Sequence, residues 1–153
     1  MKFLVFSDVT TMSGMFWYCS NLTSLDLSSF NTSNVTLMYS MFYECPNLTS
    51  LDLSSFDTSN VTDMREMFYN CTNLKTIYVG NNWSTSSVTN GNGGYIFYKN
   101  TSIIGGNGTV YDSGHIDATY AHVDEEDNPG YLTSVAMPKS SVSRFLLSLC
   151  TLD

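Results

Sequence analysis

Charge is scarce in this chain. Asp, Glu, Lys and Arg make up only 13% of it, about half the roughly 25% of an average soluble domain. Ser, Thr and Asn fill the gap. Basic residues are the scarcest, with six Lys and Arg against 14 Asp and Glu and a net charge of −8. Such a chain repels a phosphate backbone, which argues against nucleic-acid binding and against electrostatic docking on anionic lipid. Nor is there a run of the roughly 18 to 20 apolar residues that a bilayer crossing needs, so no membrane insertion is expected. The apolar start Phe3-Leu4-Val5-Phe6 is shorter than the core of a signal peptide, about 7 to 15 residues. Because that start falls inside a repeat, the chain reads as a piece of a longer protein whose targeting segment lies elsewhere. Histidine occurs only at positions 115 and 122, and no Cys-x-x-Cys pair is present, so the usual zinc frameworks are missing and no metal or cofactor is expected.

What is abundant is repetition. The string Met15-Phe16-Trp17-Tyr18-Cys19-Ser20-Asn21-Leu22-Thr23-Ser24-Leu25-Asp26-Leu27-Ser28-Ser29-Phe30 returns 26 residues later, from Met41 to Phe56. A third copy starts at Met67 and then gains one residue, so that Trp83 stands where Phe56 does in the second. Val9 and Met12 precede Val35 and Met38 by the same interval, which makes residues 3–14 the tail of an earlier repeat. Within each copy Leu22-x-x-Leu25-x-Leu27 recurs as Leu48-x-x-Leu51-x-Leu53 and Leu74-x-x-Ile77-x-Val79, the leucine-rich-repeat pattern at its usual period of about 20 to 29 residues. The alternation in Leu25-Asp26-Leu27 predicts a strand, and the spacing of three and four in Val35, Met38, Met41, Phe42 and Cys45 predicts a short amphipathic helix. Ser33, Asn34, Ser59 and Asn60 are suited to cap it.

The expected fold is therefore an α/β repeat: a leucine-rich-repeat solenoid with one parallel strand and one short helix per 26-residue repeat. Residues 3–90 form the repeats, with copies starting near Met15, Met41 and Met67. The turn-rich Asn90-Gly91-Asn92-Gly93-Gly94 breaks the period. Residues 91–135 form an irregular C-terminal cap of the kind stacked repeats require, with Tyr95-Ile96-Phe97-Tyr98 as a degenerate fourth unit. Residues 136–153 are left as an unassigned apolar tail.

The run from Leu48 through Asp52, Phe56, Asp57, Asn60 and Met64, followed by Met67-Phe68-Tyr69-Asn70-Cys71, resembles the BspA-like leucine-rich-repeat family. That family, also known as the Mycoplasma-type lipoprotein repeat family, comprises bacterial and some protist surface proteins. Gly105-Gly106-Asn107-Gly108-Thr109 through Pro129-Gly130-Tyr131 is similar to the ending common after such repeats. The resemblance spans residues 3–135 and implies a location at the cell surface or in the secreted fraction. It implies a role in adhesion to a protein or glycan on host or neighbouring cells.

The leading functional expectation is a non-catalytic binding module. Its exposed strand face carries Ser24, Asp26 and Ser28, then Ser50, Asp52 and Ser54, then Thr76, Tyr78 and Gly80. The alternative is a purely structural spacer, because binding hot spots favour Trp, Tyr and Arg and only Tyr78 on this face qualifies. Stacked Asp26 and Asp52 could attract calcium, but two carboxylates fall short of the six or more oxygens that ion takes, so a solvated ladder is preferred. Cys19, Cys45 and Cys71 read as a ladder of buried thiols. His115 with Asp112 and Asp117, and His122 with Asp124 and Glu125, accompany no recognisable nucleophile beyond nearby Ser113, so no enzyme is expected. Asp124-Glu125-Glu126-Asp127 reads as a solvated turn. Gly105-Gly106-Asn107-Gly108 lacks the Lys-Ser/Thr ending of a phosphate loop. The Asn-x-Thr triplets at Asn21, Asn34 and Asn107 follow from composition alone.

Overall fold

The structure, a computed structural model, describes residues 8–135. The predicted apolar tail at 136–153, with Cys150, lies outside them, as does the start of the first partial repeat. Among the described residues the regular elements are β1 (Ser50–Leu53), β2 (Thr76–Val79), a single 3-10 turn at Ala118–Tyr120, and β3 (Thr133–Ser134). The three strands form one parallel sheet in the order β1-β2-β3. Leu51 pairs with Ile77, Asp52 with Tyr78 and Leu53 with Val79, so equivalent residues of successive copies lie side by side. Period-2 geometry sends successive side chains to opposite faces. Accordingly Leu51, Leu53, Ile77 and Val79 are buried while Asp52 and Tyr78 face solvent.

The α/β solenoid with one helix per repeat is not what forms: among the described residues there is no α-helix. The segments that were to be helical are ladders of turns. Every fourth residue in them has a positive φ: Gly14 and Tyr18, Ser40 and Glu44, Glu66 and Asn70, Tyr95 and Lys99. A left-handed residue at that spacing stops a right-handed helix before it closes one turn. The backbone N–H groups then alternate between two destinations. Those of Met41 and Tyr43 close local turns on the carbonyls of Met38 and Ser40, whereas those of Ser40, Phe42 and Glu44 reach across to Arg65, Met67 and Tyr69 at 2.8–2.9 Å. The next coil repeats the scheme, with Glu66, Phe68 and Asn70 donating to Gly94, Ile96 and Tyr98. An α-helix would return each of these donors to its own chain four residues back, leaving none to join the copies. The apolar spacing of three and four is thus the period of successive turns.

The cap residues are reassigned with the helix. The backbone N–H and hydroxyl of Ser33 donate to Asn31 Oδ1, those of Ser59 donate to Asp57 Oδ1, and the Asn60 amide donates to the Ser33 carbonyl one coil back. The expected strand at Leu25–Leu27 is also not formed. Leu27 is buried, but Leu25 is only half-buried, and Ser55 Oγ rather than a ladder amide reaches the Leu27 carbonyl. The third strand comes instead from β3, which pairs Thr133 with Tyr78.

Inside the stack, like packs on like. Phe16, Phe42, Phe68 and Phe97 form a column of near-parallel rings with centroids 5.3, 5.7 and 5.8 Å apart. Tyr131, fully buried, closes the column edge-on against Phe97. Residues 95–100 extend the turn ladder as a fourth rung, and the Trp83 indole N–H donates to the Ala121 carbonyl at 2.9 Å, tying the third copy to the residues beyond.

Candidate functional site

The residues of the expected binding face are at the surface. Ser24, Asp26, Ser28, Ser50, Asp52 and Tyr78 are exposed, and Ser54 and Thr76 are half-buried. Their polar groups are partly committed to the chain itself. Asp26 Oδ1 accepts the Ser28 backbone N–H at 3.0 Å and its hydroxyl at 2.7 Å, and Asp52 Oδ1 accepts the Ser54 N–H at 2.9 Å. These contacts hold the Asp26 carboxyl below its ordinary pKa, the Ser28 hydroxyl contributing most. Asn31, Asp57, Asp63, Asp112 and Asp117 do the same two residues on, so the recurrent Asp or Asn is a turn-former. At Gly80, in the position of Ser28 and Ser54, a Cβ would overlap the Ser54 carbonyl, which stops the serine row after two rungs. Asp52→Ala should therefore cost about 0.5 to 1 kcal/mol in a urea melt, the worth of one exposed hydrogen bond. A loss as large as that of a buried leucine would mean the two faces of β1 are inverted.

Among the described residues no group of three or more His, Cys, Asp and Glu is arranged to hold a metal. Cys19, Cys45 and Cys71 are free. The Cys45 thiol donates to the Phe16 carbonyl and the Cys71 thiol to that of Phe42, each at 3.0 Å. Burial pushes these two thiols up to about 11 and about 12, far from the thiolate a nucleophile needs.

In the cap, His115 Nδ1 lies 3.0 Å from Asp112 Oδ2 with both side chains about half exposed, and its ring stacks on Tyr120. Ser113 makes no hydrogen bond to either. His122 Nδ1 lies 2.8 Å from the Val123 carbonyl and 3.4 Å from the Asn128 side-chain amide, with no acidic or nucleophilic side chain bonded to it. Asp117 caps the 3-10 turn by accepting the Thr119 N–H.

The acidic run divides: Glu125, Glu126 and Asp127 are exposed, but Asp124 is only 6% exposed. Its Oδ2 accepts the N–H groups of Asn107 and Thr109 at 2.8 and 3.0 Å; its Oδ1 accepts the Thr109 hydroxyl at 2.6 Å and the Gly130 N–H at 3.2 Å. The glycine-rich loop is thus an anion cradle filled by the chain's own carboxylate. A Cβ at Gly105 would overlap both Asp124 and the Gly130 carbonyl, so only glycine fits there. Burial raises the Asp124 pKa, but the four donors outweigh it and the net shift is downward.

One surface was not among the sequence candidates. The residue after each Phe of the core column is aromatic, namely Trp17, Tyr43, Tyr69 and Tyr98, and together they form a second column on the outside of the turn ladder. Tyr43 stacks on Tyr69 at 4.6 Å with the rings 7° from parallel, and Tyr69 on Tyr98 at 4.8 Å. Trp17 and Tyr18 meet Tyr43 at 6.3 and 5.7 Å, and Tyr95 meets Tyr98 edge-on. Trp17 and Tyr18 are each 58% exposed and Tyr95 56%. The available signal was an aromatic in the position after the Phe of every copy, which stacking of the copies brings into one file. Beside them the Asn70 amide donates to Glu44 Oε2 at 2.7 Å and the Ser40 hydroxyl to Glu66 Oε2 at 3.1 Å. The Tyr43 pKa is raised, first by burial and then by Tyr69, Tyr18, Glu44 and Glu66 around it.

No curated protein and no solved structure matches the chain. The family described as Mycoplasma protein of unknown function, DUF285, matches residues 3–105, more than half of the sequence, and the chain belongs to that family.

Proposed function

We propose that this chain is a non-catalytic binding module of a bacterial surface protein of the BspA-like leucine-rich-repeat kind. Its stacked coils would present a repeated face to a protein or glycan on host or neighbouring cells. The observation that carries the reading is the exposed aromatic file headed by Trp17 and Tyr18. Large aromatic side chains lose little conformational entropy on binding and dominate the energetics of recognition surfaces. The Ser and Asp residues of the strand face are rim groups in this picture, because Asp26 and Asp52 already bond to Ser28 and Ser54.

The same bonds favour a second reading, a structural spacer whose repeats hold another domain away from the cell. The immobilised chain, challenged with extracellular-matrix proteins, a neutral glycan array and whole bacterial cells, separates the two. The binding reading expects capture that weakens at least roughly fivefold when Trp17 is replaced by Ala, in line with loss of a hot-spot aromatic. Absence of capture by any of the three classes leaves the spacer.

A further inference from the structure

The two ends of the aromatic file differ in a way that points to the chemistry of its partner. In the middle, Tyr43 and Tyr69 cover each other's faces, so a ligand can reach ring faces only at the ends. At the far end the chain supplies its own occupant: Lys99 Nζ sits over the Tyr98 ring, 5.5 Å from its centroid. At the near end Trp17 and Tyr18 are exposed, and among the described residues no cation lies over them. Acidic groups lie one coil in from that end, beside Tyr43, on which Glu44 and Glu66 both act. Glu44 and Glu66 accept hydrogen bonds from the neutral groups of Asn70 and Ser40, while Arg65 directs its guanidinium to Asp63 through Nε at 3.0 Å and Nη2 at 2.7 Å and acts on Glu66 only at longer range. Aromatic faces attract cations through the ring quadrupole, and nearby carboxylates add to that attraction. The net charge of −8 acts in the same direction at longer range.

We propose that Trp17, Tyr18 and Tyr43, with Glu44 and Glu66 beside Tyr43, form a docking site for a basic polypeptide segment, whose guanidinium or ammonium groups stack on the open rings. The proposal rests on the binding-module reading and narrows its partner to a cationic protein surface. A neutral glycan would stack on the rings and donate hydroxyls to the carboxylates but would gain no charge attraction and show little salt dependence, and an anionic one would be repelled.

The test uses the whole chain and two probes, an arginine homopeptide and a neutral chitin oligosaccharide. Binding is located by NMR of the two indole N–H signals and measured by calorimetry. The peptide is expected to shift the Trp17 indole and leave that of Trp83, which is bonded to Ala121, in place. Its affinity should fall as salt is raised. Trp17→Ala should weaken it roughly fivefold, and Glu44→Gln with Glu66→Gln about threefold. Glu126→Gln with Asp127→Asn, in the exposed acidic run, should leave it unchanged. Should Trp17→Ala fail to fold, the two glutamate variants carry the test. Peptide binding that survives the Trp17 and glutamate changes and is lost with the Glu126 and Asp127 pair would overturn the proposal, since it would report adventitious charge pairing. A Trp17 shift with the oligosaccharide alone would overturn it in favour of a glycan surface. A silent Trp17 with both probes, while matrix proteins or cells are still captured, overturns the site and leaves the binding module standing.

Discussion

Phe42→Ala should lower the unfolding free energy by about 3 to 5 kcal/mol, the range for removing a fully buried aromatic ring. Phe42 is inaccessible to solvent and packed between Phe16 and Phe68, with ring centroids 5.3 and 5.7 Å away. Its backbone N–H also donates to Met67, so a cavity there loosens a coil joined to neighbours on both sides. In a stack whose stability is close to a sum of coil terms and nearest-neighbour interfaces, that change weakens two interfaces. Phe16 is half-buried and stacks on Phe42 alone among the column rings, so Phe16→Ala should cost clearly less. Urea melts of the two variants, read by far-ultraviolet circular dichroism, compare them directly. Equal losses would show that the column is not a chain of pairwise contacts.

The second large effect lies at Asp124. Replacing it with Asn keeps the shape but puts an amide N–H₂ against backbone donors and removes the charge they stabilise. The expected cost is about 2 to 4 kcal/mol, because hydrogen bonds to a charged group are worth roughly 1.5 to 3 each and the amide has an acceptor at only one of the two oxygen positions, so either the Asn107 and Thr109 N–H groups or the buried Gly130 N–H would face an N–H₂. The pH dependence follows from the same geometry. The folded-state pKa of Asp124 is depressed, so its contribution is complete above the unfolded value of about 3.9 and is lost as pH falls from there through the folded value. Amide exchange at Asn107, Thr109 and Gly130 should therefore accelerate on acidification below about pH 4 in the native chain, after allowance for the intrinsic pH dependence of exchange. In the Asn variant the amides on one side of the group, either Asn107 and Thr109 or Gly130, should be poorly protected at all pH values, and the acceleration below about pH 4 should be absent. Unchanged protection in the variant would mean the loop holds itself without the carboxylate.

Much of the pairing was legible before any coordinates. The interval of 26 residues brings Leu51 opposite Ile77 and Asp52 opposite Tyr78, and the alternation in Ser50–Leu53 distinguishes the buried side from the wet one. The cysteine positions belong to the same repeat, and they are buried or half-buried as small apolar groups are. What misled was the helix. A helical stripe and a run of consecutive turns place apolar side chains at the same spacing of three and four, so Val35, Met38, Met41, Phe42 and Cys45 fit both. Nothing within one copy separates the two, because the difference is whether the Phe42 N–H bonds within its own copy or to Met67 in the next.

The sequence by itself determined the repeat, its register and the inward set of Leu, Phe, Met and Cys, since these depend only on side-chain type and on periodicities internal to the chain. Tertiary structure alone decided the backbone of the turn ladder, the loss of the Leu25–Leu27 strand and the recruitment of Thr133–Ser134 to the sheet, because each depends on which neighbour receives a backbone hydrogen bond. It also decided the candidate site. Rings 26 or more residues apart become a single surface only when the coils stack at the separation of two aromatic rings, and a carboxylate such as Asp124 becomes structural only when a distant loop folds its N–H groups around it.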